Sequence, residues 1–294
     1  MNFLDKFRYS FDNLNEIGSL KNEDKEKKNI YNNPFLKSLL SNSVKVTNEI
    51  FPKISEAIDQ VFLRLKIKNN FNFFVTANHF QTQAMCAMMP QSSNAEIIIT
   101  SKMIELLNHN ELQSVIGHEI SHFYYQHSLY PNPDKARNRI EYLNFLHLSR
   151  AAEISADRAG FIGSGNIENS LRSMLKISSG LGDEHISFNF SSYLDQLREL
   201  KEIKGDQSQL FSTHPTFLNR MQALIWFSMS HEYHEFFETD IPQGDDYSQL
   251  NGLLHEQLHD IPKEGDKIEI KSLRIIVEKM TENKPEKIRI EKIN

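Results

Sequence analysis

The sequence predicts an α+β protein, mostly helical, with one small β-sheet packed beside a strongly apolar helix. Two observations carry that prediction. Apolar residues recur at three- and four-residue spacing through most of the 294 residues, which is the period of a helix with one buried face. The period breaks at FNFFVT (71–76) and AEIIIT (95–100), short runs of aromatic and β-branched residues that read as strands. No internal repeat is present.

In chain order, Phe3, Leu4, Phe7, Phe11 and Leu14 sit at helical spacing ahead of the charge run KNEDKEKK at 21–28. They predict a short docking helix followed by a solvated linker. Val46, Ile50, Ile54, Ile58, Val61 and Leu65 continue a helical stripe from Pro34 to about Lys66, one long or broken helix in which Pro52 marks a start or a kink. Between the two strands, QAMCAMM (83–89) can form a third, and PQSSN (90–94) is a turn signal. SKMIELL predicts a short helix. Asn110 with Gln113 resembles a capping box opening the apolar helix ELQSVIGHEISHFYYQH. PNPD (131–134) breaks the pattern. A long helix is expected from about Asp134 to Ala159, ending near Gly160 and Gly163, and another over 166–179 stopping at Gly180. Further helices are expected near 191–201 and 215–231. The tail beyond 240 is polar, with one helix or strand pair around IEIKSLRIIVEKM, and reads as disordered in preference to a cover over a site. The organisation expected is an N-terminal helix and charged linker over 1–33, a main domain over 34–235 and a polar C-terminal extension over 236–294.

Composition excludes several classes. With 39% hydrophobic and 24% charged residues the chain is an ordinary globular one, not a disordered one. A net charge of -6 argues against a nucleic-acid binder and against adhesion to an anionic membrane. One cysteine, Cys86, excludes an intramolecular disulfide framework and any multi-cysteine metal site. No segment approaches the ~18 consecutive apolar residues of a spanning helix. The opening residues lack the apolar core of a secretory signal, and no lipidation box is present. The expected location is the cytoplasm.

The string that carries chemistry is HEISH, His118 to His122. Two histidines four apart share one helix face about 6 Å apart along the axis, so both imidazoles can reach one zinc ion, with Glu119 beside them to accept a proton from water. A chance HExxH on an ordinary helix is the competing explanation. The chain tests it internally, because HEQLH (His255 to His259) repeats the pattern. VIGHEISHFY carries no charge besides Glu119, as a buried zinc helix requires, and Gly117 admits a close backbone. HEQLH is followed at once by Asp260 and soon by Pro262, which suits a solvated turn; it reads as a coincidence or a weak surface contact. A catalytic zinc needs a third protein ligand. Downstream lies RAAEISADRAG, in which Glu153 and Asp157 share a helix face. Glu153 can coordinate the metal, and Asp157 can accept a hydrogen bond from the far nitrogen of a ligand histidine. An acidic pair on a helix surface is the ordinary alternative, but the neighbouring alanines argue against a solvated face.

Taken in order, HEISH, EISAD and STHPTFLNR resemble the HtpX-like and CAAX-prenyl-protease-like zinc metallopeptidases, gluzincins with an HExxH, a downstream ExxxD and a later HPxxxxR. The resemblance runs from about Phe71 to Trp226 and extends to soluble bacterial members through DRAGFIGSGNIENSLRSMLKISSG. It implies one zinc per chain held by His118, His122 and Glu153, Glu119 as general base, and Asp157 behind a ligand histidine. It also implies His214 as an oxyanion-stabilising group and Arg220 as a structural arginine near the site. Read from residues alone, His214 ahead of Pro215 also fits a plain helix start. The chain departs from the family in lacking a spanning segment and in having Gln83, not Asn, ahead of the HExxH helix, with no Gly pair after it.

The expected activity is that of a zinc endopeptidase acting on peptide or unfolded-protein segments, which pair with a sheet edge near 83–89, in a setting such as protein quality control. The rivals are a non-cleaving, chaperone-like zinc module and a latent regulator whose tail covers the metal through His255 and His259. The intact Glu119 speaks against the first. The sequence assigns no oligomeric state. Cys86 reads as a strand residue, His231 and His234 as an exposed helix end, and GFIGSG (160–165) is not a dinucleotide fingerprint because its glycine order is wrong and it follows a helix.

Overall fold

The structure, a computed structural model, describes residues 3–13, 34–68, 70–77, 83–88, 95–187, 196, 199, 212, 214–230, 233–234, 263–270, 273–281 and 284–292. The expected linker at 21–28, the helix near 191–201 apart from 196 and 199, and His231, His255 and His259 lie outside those residues. The chain divides into two compact units, residues 1–187 with 207–221, and residues 188–206 with 222–294.

In the first unit a one-turn 3-10 helix, Phe3–Phe7, docks through Leu4 and Phe7, both fully buried. The stripe from 34 to 66 is not one helix. It comprises α1 (Pro34–Asn42), a two-residue strand β1 (Val44–Lys45) and α2 (Pro52–Leu65). Pro52 occupies the first turn of α2, where its missing N–H costs nothing. Strands β2 (Phe71–Thr76), β3 (Ala84–Met88) and β4 (Ala95–Thr100) join β1 in one mixed sheet of order β1-β2-β4-β3. β2 runs parallel to β4, and β3 antiparallel to it with Ala84 opposite Ile99 and Met88 opposite Ala95. QAMCAMM is therefore a strand, and it forms one edge of the sheet. Ile97 and Ile99 are fully buried on the face of β4 that Ala84 and Cys86 of β3 share.

Helices α3 (Ser101–Leu106), α4 (His109–Tyr124), α5 (Arg139–Ser164) and α6 (Ile167–Ser179) follow. The cap of α4 is Asn108, not Asn110. Its side chain accepts from the backbone of Asn110 and Glu111, and Glu111 reaches back to the Asn108 N–H at 2.9 Å. Glu111 is fully buried and also meets Lys176 at 2.7 Å and Arg172 at 3.1 Å, which ties the start of α4 to α6. Ile116 and Ile120, each worth about 1.5–3 kcal/mol on full burial, show no exposure. Residues 133–135 form a separate 3-10 turn, so α5 begins five residues later than expected, at Arg139 under an Asn138 cap. It also runs through Gly160 and Gly163, ending at Gly165 in the left-handed conformation at φ 72°.

Gly160 of α5 and Gly117 of α4 are packing residues. A Cβ on Gly160 would stand 2.6 Å from the Ser114 carbonyl oxygen, and one on Gly117 would stand 3.0 Å from that of Ala159. Backbone meets backbone where α4 and α5 cross. Helix α7 (Phe217–Ser228) follows, with residues 217–221 in this unit and 222–228 in the second. It is preceded by Thr216, whose side chain accepts from Asn219 N–H at 3.4 Å, so Pro215 lies before the cap and not in the first turn.

In the second unit, β5 (Lys267–Ile270), β6 (Leu273–Thr281) and β7 (Lys284–Lys292) form an antiparallel sheet of order β5-β6-β7. The strand-pair alternative for IEIKSLRIIVEKM is what forms, as β5 and β6, and the preference for a disordered tail is overturned for residues 267–270, 273–281 and 284–292. LRIIV supplies a β-branched strand with Ile275, Ile276 and Val277 buried. The α+β class stands, with a second small sheet that the sequence reading did not separate.

Candidate metal centre

Helices α4 and α5 run antiparallel across the glycine contact. Ser114 meets Gly160, His118 meets Asp157 and His122 meets Glu153. A four-residue step along one helix answers a similar step back along the other. This arrangement brings HEISH and EISAD together.

His118 Nε2 and His122 Nε2 stand 3.1 Å apart. The Glu153 carboxylate lies 3.6 Å from the first and 3.7 Å from the second. Among the described residues these three form a group whose ligand atoms all lie within 4.8 Å of one another. The donor set and spacing fit zinc. Two nitrogens bound to one tetrahedral zinc at about 2.0–2.1 Å lie about 3.3 Å apart, close to the separation present, and two imidazoles with one carboxylate leave a fourth position open.

The surrounding groups orient this set. Asp157 Oδ1 accepts from His118 Nδ1–H at 3.0 Å, which leaves the Nε2 lone pair facing Glu153 and His122. Arg220, from the first turn of α7, grips Asp157 with both arms, Nε to Oδ2 at 2.8 Å and Nη2 to Oδ1 at 2.6 Å. It also stands 3.6 Å from Glu153. Burial would raise the Asp157 carboxyl, but Arg220 and His118 outweigh it and hold it down at about 2. Burial, joined by the neighbouring His118, keeps His122 well below the usual imidazole range, hence neutral and able to coordinate. In His118 burial acts downward, and the Asp157 hydrogen bond overcomes it.

Glu119 is buried, with 9% exposure, and lines the same cavity of about 370 Å³. Burial and the nearby Glu153 push its carboxyl up, against a smaller downward pull from His118 and the Cys86 backbone of β3. Cys86 itself is half-buried, and burial, then Glu119 and Glu96, push its thiol up to about 12, which leaves it a poor nucleophile. His214 reaches the rim. Its Nε2 is 3.6 Å from Glu153 Oε1, and its side chain is 63% exposed. Its loop is fixed by Arg150, which donates to the Ser212 carbonyl at 2.8 Å.

Every site residue singled out in HEISH, EISAD and STHPTFLNR therefore lies at one place. Two participants went unread: Arg150 and His127. The His127 ring lies 2.7 Å from His122. His127 follows the HEISH motif by five residues, the one trace of it in the sequence.

Two histidines and a carboxylate around a buried acid define the class: a site with the make-up of a single-zinc hydrolase. Residues 46–132 and 136–225 match the model of Peptidase family M48, more than half of the chain. The chain belongs to Peptidase family M48. That is a family of zinc metalloproteases, the one indicated by the three motifs. Residues 230–294 match the model of a transporter associated domain, so the C-terminal extension does have a counterpart, outside the peptidase family. The crystal structure of S. mikatae Ste24p is similar at a TM-score of 0.35 and 18% identity, over 65% of this chain and 56% of that one. The match thus spans little more than half of Ste24p. No curated protein sequence matches the chain. Among the described residues no helix is long and apolar enough to cross a membrane.

Proposed function

We propose that the chain is a zinc endopeptidase in which His118, His122 and Glu153 hold one zinc ion and Glu119 is the general base. The convergence of the two Nε2 atoms and the Glu153 carboxylate within 4.8 Å carries this reading. When bound there, zinc supplies Lewis acidity, acidifying water and polarising a carbonyl. The remaining work falls to the chain's own groups. Glu119 takes the proton of the attacking water and returns it to the leaving amine nitrogen. His214, on the open side of the site, donates a hydrogen bond as negative charge develops on the scissile carbonyl oxygen. Asp157, held by Arg220, fixes the ring of His118. An extended peptide pairs with the edge of β3 that no described strand occupies, whose residues 84–86 line the cavity. Recognition through main-chain pairing is sequence-tolerant, which suits unfolded protein segments and a quality-control role in the cytoplasm. The peptidase domain proposed is 34–235, with 1–33 as its N-terminal segment and 236–294 as an extension.

Metal analysis combined with cleavage of unfolded casein tests this. Wild-type protein should carry about one zinc and cleave, and Glu119→Gln should keep zinc and melting temperature while losing cleavage. Normal hydrolysis by Glu119→Gln refutes the role of Glu119. Zinc retained at full stoichiometry by His118→Ala or Glu153→Ala refutes the site.

A further inference from the structure

We propose that His127 and Asp12 are positioning residues that act in series on His122, so that the N-terminal segment sets the affinity of the zinc site. This rests on the reading that His122 is a zinc ligand. The evidence begins with an asymmetry between the two histidines of HEISH. His118 has a carboxylate, Asp157, against its outer nitrogen. The outer nitrogen of His122 meets another imidazole instead, His127 Nδ1, at 2.7 Å. An imidazole either gives or takes a proton at a given nitrogen, so a neutral His127 alone would not decide the tautomer of His122.

Asp12 decides it. Its Oδ2 lies 3.1 Å from His127 Nε2 and 3.2 Å from Arg8 Nε, and its Oδ1 accepts from the Tyr130 hydroxyl. Burial would raise this carboxyl, but hydrogen bonds from His127, Ser155 and Tyr130 hold it below its usual range, and the Arg8 guanidinium, 3.2 Å away, is its charge partner. An ionised carboxylate only accepts. Arg8 already balances the Asp12 charge, so a neutral His127 keeps its one proton on Nε2, where it is donated to Asp12, and His127 Nδ1 is bare. His122 Nδ1 must then be the donor, and His122 Nε2 is left with its lone pair toward His118 and Glu153. One buried charge, two rings away, fixes which nitrogen of His122 faces the metal position.

The chain is built for this contact. Asp12 has no side-chain exposure and His127 has 7%, and burying a carboxylate costs several kcal/mol unless it is fully bonded. His127 is turned back under His122 by Gln126, which sits at φ 57° in the left-handed region uncommon for a residue with a Cβ. Asp12 is delivered by residues 3–13. Leu4 and Phe7 are buried, the Tyr125 hydroxyl donates to the Leu4 carbonyl at 2.7 Å, and Tyr9 N–H donates to Ser155 Oγ at 2.9 Å. That segment precedes residue 46, where the match to the peptidase family begins. The carboxylate is an addition from outside the matched part of the chain.

The test is zinc affinity of the full chain, measured by competition with a chromophoric chelator, alongside the melting temperature of the zinc-free protein. His127→Leu should weaken zinc binding about 10- to 100-fold, the usual scale for losing an orienting partner, and should shrink the rise in melting temperature that zinc produces. His127→Asn puts an oxygen acceptor near the place of Nδ1 and should recover most of the affinity. Asp12→Asn should weaken binding in the same direction by less. The double variant Asp12→Asn with His127→Leu should lose no more than His127→Leu alone, because groups in series do not add. Should His127→Leu not fold, the Asn variants carry the test. Wild-type affinity in a folded His127→Leu protein overturns the inference, as do additive losses in the double variant, or a fall in zinc-free melting temperature with zinc affinity unchanged. His122→Ala separates the two levels: if it binds zinc as tightly as wild type, the metal reading itself falls.

Discussion

Asp157 does two things at once, since one carboxylate accepts from His118 and from both arms of Arg220. Replacing it by Asn keeps the size but removes the charge that holds the guanidinium and fixes the ring. Asp157→Asn should weaken zinc binding about 10- to 100-fold, read by chelator competition, and unchanged affinity would remove Asp157 from the site. His214 stands at the rim, 63% exposed, with its Nε2 3.6 Å from Glu153 Oε1. His214→Ala should leave zinc content intact and raise the barrier by about 2.7–4 kcal/mol, a loss in kcat and not in KM. Steady-state kinetics on a fluorogenic peptide checks this, and loss of zinc instead would make His214 a ligand. HEISH and EISAD were legible because a four-residue step on a helix places both side chains on one face whatever the tertiary structure. Asp12 was not legible. It is one acid in a polar N-terminal stretch, and its meaning depends on a turn at Gln126 that only the folded chain shows.

The crossing of α4 and α5 holds the site together, and it depends on glycines. A methyl on Gly160 would stand 2.6 Å from a backbone oxygen of α4, which cannot swing aside as a side chain can. The helices must part, at a cost of about 1–3 kcal/mol or more for overpacking. Glu153 and Asp157 lie on the same helix within two turns of that contact, so parting the helices moves them from His122 and His118. Gly160→Ala should therefore lower both the melting temperature and the zinc affinity. Gly165→Ala is the control. It strains the left-handed cap at φ 72° at a cost of about 1–2 kcal/mol, yet it lies beyond the crossing and should leave zinc affinity alone. Equal effects on zinc from the two variants would mean that general instability, not the crossing, controls the site. The sequence reading took Gly160 and Gly163 as helix stops because glycine marks both an end and a close approach, and local pattern does not distinguish them. Gly117, inside an unbroken apolar run, was read for close approach, and its packing against Ala159 agrees.

On the scale of the whole molecule, the two units differ in how they announce themselves. The first is legible through motifs that bind chemistry to spacing. The second repeats the HExxH string as HEQLH, outside the described residues and with no ExxxD after it, and its strands alternate charged and β-branched residues in KIEI and KIRI, a pattern that fits a solvated tail as readily as a sheet until pairing partners are known. Those partners exist: β6 pairs with β5 on one side and β7 on the other, and Val277 is fully buried. Every residue given a part around the metal position lies in the first unit: His118, His122, Glu153, Asp157, Arg220, His214, His127 and Asp12. Damage to the second unit should therefore spare zinc binding. An ionised carboxylate buried at Val277 costs several kcal/mol, so Val277→Asp should melt the C-terminal sheet at lower temperature while zinc stoichiometry and affinity stay at wild-type values. Ile116→Asp places the same charge on α4, at a fully buried position two residues before His118, and should abolish zinc binding. Calorimetry with metal analysis on both variants decides the matter. If soluble Val277→Asp protein loses its zinc, the site depends on the second unit, and the assignment of the whole metal centre to the first is wrong.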